Sequence, residues 1–314
     1  MSTKIEWCDE TWNPVHGCTH AGSPGCDMCY ARRMARRLQG RCGYPEAPDY
    51  FKVTLRPDRL EQPLKWRKPR RVFVVSMGDL FHDDVDDKFI DEIFGVMLMT
   101  SQHTYQLLTK RPARMLDYLT TDFRRRKIWE AMKDLYFRLP GDYGFPMSYG
   151  SVVWPLPNVW PGVTVENQDV ADQRRADFEA TPAAVKFVSY EPALGLIDWT
   201  GWEFVDQIIS GGETGPRARP SPRNAHRSTR DFCQANDIAY FFKQHGEWLH
   251  FERRAKSSGG GYYHADNGKR LLVEKFIDKP HEVHGDFGIA RVGNKAAGHL
   301  LDGREWREMP GGVK

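Results

Sequence analysis

The chain has 314 residues, 40% hydrophobic and 28% charged, so it can bury a sizeable core and is not a disordered polymer. Its 45 basic residues barely exceed its 42 acidic ones, a formal charge of +3 that excludes a general nucleic-acid coat and leaves only local basic patches. The opening residues carry Glu6, Asp9 and Glu10 without an apolar segment, unlike a secretory leader. The longest nearly apolar run, Ile93 to Met99, is far shorter than the ~18 residues of a membrane span. A cytoplasmic protein with no membrane partner is expected.

In chain order, the first feature is chemical. Five of the six cysteines (Cys8, Cys18, Cys26, Cys29 and Cys42) lie within the first 42 residues. A disulfide framework is expected in small exported chains, so clustered thiols here point to a metal or to redox chemistry. The densest part is Gly17-Cys18 followed by Gly25-Cys26-Asp27-Met28-Cys29-Tyr30, one Cys-x2-Cys pair preceded by a third cysteine. Its glycines let the backbone turn sharply enough for three thiolates to face one centre. Two centres suit that set. Structural zinc needs a fourth ligand, which Cys8, His16 or His20 could supply. A [4Fe–4S] cluster held by Cys18, Cys26 and Cys29 would keep one iron open.

Ala31 to Leu38 then repeats arginine pairs, Arg32-Arg33 and Arg36-Arg37, four residues apart, giving a helix with a basic stripe. That stripe is either a phosphate-binding face or a solvated one. Beyond it, short β-rich apolar runs alternate with helical periods. Val72 to Val75 runs into Ser76-Met77-Gly78-Asp79, and a helix follows over 89–99 behind Asp86-Asp87. Tyr105 to Leu108 runs into Thr109-Lys110-Arg111, followed by one helix over 115–136. Residues 139–157, rich in Gly, Pro, Tyr and Trp, read as an inserted loop. Val159 to Val165 ends in Glu166-Asn167, Val185 to Val188 in Ser189-Tyr190-Glu191, and Ile208-Ile209 in Ser210-Gly211-Gly212-Glu213. A helix over 223–235 leads to Ala239 to Phe242 and Lys243-Gln244-His245.

Runs that are apolar on both faces suit parallel strands covered by helices, and their spacing is that of βαβ units. The expected fold is α/β, a TIM-like partial or complete (β/α) barrel over 1–250, with the open doubly wound sheet as its alternative. From Ser257, through Gly259-Gly260-Gly261, the chain reads as short strands, so 251–314 form a small capping extension, a β-hairpin at its simplest. In a barrel the polar strand ends carry the site. Asp79 is there either as a helix cap or as a ligand for an ammonium, and Lys110 and Arg111 face a carboxylate or phosphate or a solvated turn. Glu166 and Asn167 suit ribose hydroxyls, and Glu191 and Glu213 either meet substrate or begin helices. A second basic run, Arg217, Arg219, Arg223, Arg227 and Arg230, flanks Gly212-Glu213 and raises a phosphate-bearing substrate such as a nucleotide or DNA. Gly288 to Ala296 does not match a P-loop, and His281-Glu282-Val283-His284 lacks the histidine spacing of zinc proteases.

The cysteine loop, with later strands ending in Ser76-Met77-Gly78-Asp79 and Ser210-Gly211-Gly212-Glu213, resembles the radical S-adenosylmethionine (SAM) superfamily. That resemblance implies a [4Fe–4S] cluster on Cys18, Cys26 and Cys29, SAM as cofactor and an external electron donor. It places the SAM amino group at Gly78-Asp79 and Met28 near the adenine. The spacing departs from the superfamily's usual three residues then two: seven separate Cys18 from Cys26, and two separate Cys26 from Cys29. Met28 stands where an aromatic residue is more usual. More narrowly, Trp12-Asn13-Pro14-Val15, Ser23-Pro24-Gly25-Cys26, Cys29-Tyr30-Ala31, Phe242-Lys243-Gln244 and Leu300-Leu301-Asp302-Gly303-Arg304 resemble a phage-borne three-cysteine-motif family of unknown function. The implied location is then the host cytoplasm. The implied activity is radical SAM modification of an unidentified substrate, with phage DNA or a nucleotide first in line. The rival classes are a zinc-stabilised nucleic-acid-binding protein without catalysis and a non-catalytic scaffold.

Overall fold

The computed structural model describes residues 3, 5–138, 148–255, 261–271, 281–284 and 287–312. Its contacts group the chain into two compact units, 1–164 with 173–187 and 165–172 with 188–314.

The first unit opens with β1 (Glu10–Trp12) and β2 (Val15–His16), then the cysteine loop and α1 (Tyr30–Leu38). It continues through β3 (Thr54–Leu55), β4 (Arg71–Val74), α2 (Asp87–Met99), β5 (Thr104–Thr109), α3 (Pro112–Thr120), α4 (Arg124–Arg138) and β6 (Val159–Thr164). After α5 (Gln168–Ala180) and β7 (Phe187–Tyr190), the second unit carries β8 (Gln207–Gly211), α6 (Ala225–Ala235) and β9 (Ala239–Gln244). Among the described residues the main sheet has seven parallel strands in the order β1-β4-β5-β6-β7-β8-β9. Order along the sheet follows order along the chain, so the right-handed crossovers all travel one way and leave their helices on one face. Such a singly wound sheet is an α/β partial barrel. It runs from β1 to β9 without their pairing, so the complete barrel among the sequence expectations is not formed.

Of the main sheet, β1 is missing from the sequence expectations, three residues that read as polar through Glu10 and Thr11; in the fold Glu10 is paired with Arg70 at 2.6 Å. The helix expected over 115–136 is broken into α3 and α4. Thr120 and Thr121 turn their hydroxyls back onto the carbonyls of Leu116 and Asp117, each at 2.7 Å, and Thr121 leaves the helical region. Adjacent β-branched residues with competing hydroxyls favour such a stop. The break brings Arg124 under α2. Its guanidinium donates to Asp91 at 3.0 Å and to Asp87 at 2.5 Å, and lies 4.2 Å from the Tyr118 ring centre. Tyr118 donates to Asp91 at 2.7 Å.

In the second unit, the expected simple extension is a sheet of its own. Strands β10 (Trp248–Ala255), β11 (Gly261–Ala265), β12 (Arg270–Leu271), β13 (His281–His284) and β14 (Phe287–Arg291) pair antiparallel in the order β12-β11-β10-β14-β13. A short α7 (Asn294–Ala297) adds Ala297 to the small core of Leu249, Phe251, Ala265 and Ala290. The chain then returns to β9, where Phe242 N–H donates to the Trp306 carbonyl at 2.9 Å. Of the expected inserted loop, residues 139–147 lie outside the described residues, as do Gly259 and Gly260 of the glycine run. Among the described residues no helix is long and apolar enough to cross a membrane.

Arg124 and Asp91 have side chains only 5% and 8% exposed, so removing one partner strands a buried charge. Arg124→Ala should therefore lower unfolding stability by ~3–5 kcal/mol in urea titrations. A loss below about 1 kcal/mol would show that the network does not hold α2, α3 and α4 together.

Candidate functional site

The cysteine loop is seated by backbone contacts that leave no room for side chains. Gly17, at φ +86°, forms a parallel bridge with Gly78 at the tip of β4, and its N–H donates to the Met77 carbonyl at 2.9 Å. A Cβ on Gly17 would lie 2.1 Å from the Lys52 carbonyl oxygen, and one on Gly78 would lie 2.7 Å from the Gly17 oxygen. Glycine is thus required on both sides. The β4 tip itself is held by Asn13, whose Oδ1 accepts from Met77 N–H at 2.9 Å and Ser76 Oγ at 3.2 Å. Val75 takes φ 57°, a left-handed conformation that a β-branched residue adopts only when its surroundings enforce it. Here Val75 N–H donates to the Trp12 carbonyl at 2.7 Å.

Past Gly17, Cys18 N–H donates to the Phe51 carbonyl at 3.1 Å. Cys26 closes the short turn Pro24–Cys26, its N–H on the Ser23 carbonyl at 2.8 Å. Cys29 is the N-cap of α1, and its Sγ accepts from Arg32 N–H at 3.5 Å. Met28, between the last two cysteines, is half-buried. Helix α1 then packs Ala31 and Ala35 with Tyr44 and Met77, which ties the loop's far end to the same β4 tip.

Asp79 lies beside this loop, only 4% exposed. Its Oδ1 accepts from Thr109 Oγ1 at 2.7 Å and Phe81 N–H at 3.1 Å, and its Oδ2 from Lys110 N–H at 3.1 Å and Arg111 Nη1 at 3.0 Å. The same Arg111 Nη1 donates to Cys18 Sγ at 3.4 Å. Lys110 reaches the loop through Nζ, which donates to Ser23 Oγ at 3.2 Å. The ends of β4 and β5 are therefore hydrogen-bonded to the cysteine loop. Asn13, Thr109 and the Thr19–His82 pair, 2.8 Å apart, escape sequence reading because their partners are distant in the chain.

Burial pushes the Cys18 thiol up to about 11, the Asp79 carboxylate adding to the effect and Arg111 opposing it. The free thiol is thus neutral at physiological pH, and a bound metal would ionise it. The donor set fits an iron–sulfur centre. All six cysteines are described and unbridged, three are partly exposed on one loop, and Cys26 lies close enough to Cys18 to add to the cost of ionising the Cys18 thiol. Among the described residues no three His, Cys, Asp or Glu side chains converge as ligands of a single ion. Of the zinc ligands considered, Cys8 is buried with its Sγ on the Ile5 carbonyl at 3.8 Å. His16 is fully buried against Tyr44, and burial with Arg59 and Arg56 holds it down to about 4. His20 is paired with Asp27 at 3.0 Å.

In the second unit, Glu166 is fully buried and its backbone carbonyl accepts from Leu194 and Gly195. Asn167 Oδ1 accepts from Val170 N–H at 3.1 Å, capping the start of α5. Glu191 pairs with Lys243 at 3.0 Å, and Glu213 with Arg219 at 2.6 Å. Three arginines of the second basic run, Arg219, Arg227 and Arg230, are half-buried in ion pairs, while Arg217 and Arg223 are exposed. Arg227 and Arg230 bind Asp302 at 2.5 and 2.7 Å, and Arg223 lies 3.3 Å from the Phe287 ring centre. Arg227 and Arg230 are thus neutralised by an acid, whereas Arg32, Arg36 and Arg37 on α1 are exposed.

The fold and site thus define an α/β partial barrel with a three-cysteine loop at the ends of its first strands. The chain belongs to the family described as Protein of unknown function (DUF5131), whose model matches residues 2–310. No curated protein matches it. Among solved structures it is similar to a cysteine-to-serine mutant of spore photoproduct lyase, with 11% identity and TM-score 0.40 over 88% of this chain and 72% of that one. A tyrosine-to-phenylalanine mutant of the same lyase gives 10% identity and TM-score 0.36 over 84% and 68%. Likeness this distant says nothing about chemistry.

The raised Cys18 pKa has a direct consequence in metal-free protein. A thiol moved from 9.0 to about 11 holds roughly a hundredfold less thiolate at pH 8, so iodoacetamide should modify Cys18 about that much more slowly than an ordinary thiol. The rate should climb as pH rises toward 11. Rapid, pH-independent labelling between pH 7 and 9 would show Cys18 to be a low-pKa thiol instead.

Proposed function

We propose that the chain is a radical SAM enzyme in which Cys18, Cys26 and Cys29 hold a [4Fe–4S] cluster and Asp79 seats the SAM amino group. One observation carries the reading: a single guanidinium, that of Arg111, hydrogen-bonds both the Cys18 sulfur and the Asp79 carboxylate. The cysteine loop and the strand-tip acid, distant in sequence, thereby belong to one site. When bound, the cluster would supply the electron for reductive cleavage of SAM.

The chain's own residues would bind and orient. The Gly17–Gly78 bridge fixes Cys18 next to the end of β4, and Cys29 is fixed by its place at the start of α1. The Asp79 carboxylate has about four acceptor positions, and four donors now fill them. An incoming ammonium must displace one. Arg111 is the donor able to yield, because it alone is a long side chain with other partners within reach, Thr19 among them. Met28, within the loop, and Lys110, whose Nζ reaches Ser23, would meet the rest of the cofactor. The exposed arginines of α1, directly after Cys29, favour an anionic substrate such as DNA or a nucleotide.

Anaerobically reconstituted and reduced protein should bind SAM and slowly release 5′-deoxyadenosine. Asp79→Ala should weaken SAM binding at least tenfold, the loss of one charge-assisted contact of ~1.5–3 kcal/mol. SAM affinity unchanged in that variant would remove Asp79 from the site. A cluster-loaded protein that ignores SAM would favour the scaffold reading.

A further inference from the structure

We propose that Arg111 is a positioning residue that sets the reduction potential of the cluster, through its hydrogen bond to the Cys18 sulfur. The inference rests on the cluster reading above, in which Arg111 only links Cys18 to Asp79, and adds an electronic role for that residue. Its geometric basis is the fork of the guanidinium. Nη1 is shared between Cys18 Sγ at 3.4 Å and Asp79 Oδ2 at 3.0 Å, while Nη2 donates to Thr19 Oγ1 at 3.0 Å and the Thr19 carbonyl at 3.4 Å. Thr19 is itself anchored by His82 Nε2 at 2.8 Å, and His82 Nδ1 accepts from Asp84 N–H at 3.0 Å, so Nε2 carries the proton. The Arg111 backbone is fixed as well: its N–H donates to Thr109 Oγ1 at 2.9 Å, and α3 begins at the next residue with Pro112.

With its side chain only 14% exposed, Arg111 holds its charge beside the sulfur with little water to screen it. Reduction adds an electron to the cluster, and an N–H donor with a positive charge at a ligating sulfur stabilises the reduced form more than the oxidised one. Hydrogen bonds to the sulfurs and net local charge are established determinants of cluster potential. Arg111 therefore raises the potential and makes the first electron easier to accept. Lysine cannot reproduce this, because one ammonium drawn to Asp79 has no second arm for Thr19 and no fixed N–H for the sulfur.

The test is an anaerobic, EPR-monitored redox titration of reconstituted protein without SAM, with iron and sulfide counted in each sample. Arg111→Gln and Arg111→Lys keep all three cysteines and are expected to retain the cluster and titrate at a more negative midpoint than wild type, Gln further than Lys. A wild-type midpoint in either variant, at wild-type iron content, overturns the inference and leaves the cluster reading standing. If wild type itself takes up no cluster, both fall together. A purely structural role for Arg111 would lower stability and iron retention without moving the midpoint of the clusters that remain, which the titration reads separately.

Discussion

The site depends on one buried carboxylate. Asp79 accepts hydrogen bonds from its own turn through Phe81, from β5 through Thr109 and the Lys110 backbone, and from the Arg111 guanidinium. A carboxylate buried in protein is costly unless such donors surround it, and once surrounded it fixes them in turn. Through Arg111 the constraint passes to Cys18, and through the Gly17–Gly78 bridge the same strand end holds the backbone just before Cys18. Side-chain and backbone constraints thus meet at one cysteine. Cys26 is placed by a short local turn, and Cys29 by the start of α1 and its packing against the Ala31, Ala35, Tyr44 and Met77 cluster.

This arrangement also separates structural work from chemistry. The WNPV segment is architectural: Trp12 is fully buried with its indole N–H on the Arg59 carbonyl at 2.8 Å, and Asn13 clamps Ser76 and Met77. The left-handed Val75 is the local cost of turning β4 sharply enough to bring Gly78 against Gly17. In the second unit the strand-end acids Glu191 and Glu213 are matched by Lys243 and Arg219, and the return of Trp306 to β9 covers that edge of the sheet. An exposed edge is a hazard in an open sheet, and a covered one is not.

Much of this was legible in the sequence where local pattern decides. The apolar runs at Val72, Tyr105, Val159, Ile208 and Ala239 become strands, and Asp86 caps α2 by accepting from Phe89 N–H at 2.8 Å. The cysteine loop announces itself by composition. Three things were not legible, for physical reasons. Strand β1 is short and polar, and it exists because β4 supplies its partner. The break after Thr121 turns on hydroxyl competition that helical periodicity does not see. Arg227 and Arg230 read as part of a phosphate site because the acid that joins them, Asp302, lies more than seventy residues away. Arg111 was visible as a basic residue at a strand end, but its contact with Cys18 spans 93 positions and needs the fold.

The measurement closest to the central claim is the metal content of protein purified without oxygen and supplied with iron and sulfide. The expected result is a brown protein with about four irons and four sulfides per chain, the composition of a [4Fe–4S] cluster. The colour should be lost on replacing Cys18, Cys26 or Cys29 by alanine and kept on replacing Cys8, Cys42 or Cys233. A colourless protein with one tightly held zinc, released on replacing Cys8 or a nearby histidine, would contradict the claim and leave a zinc-stabilised protein in its place.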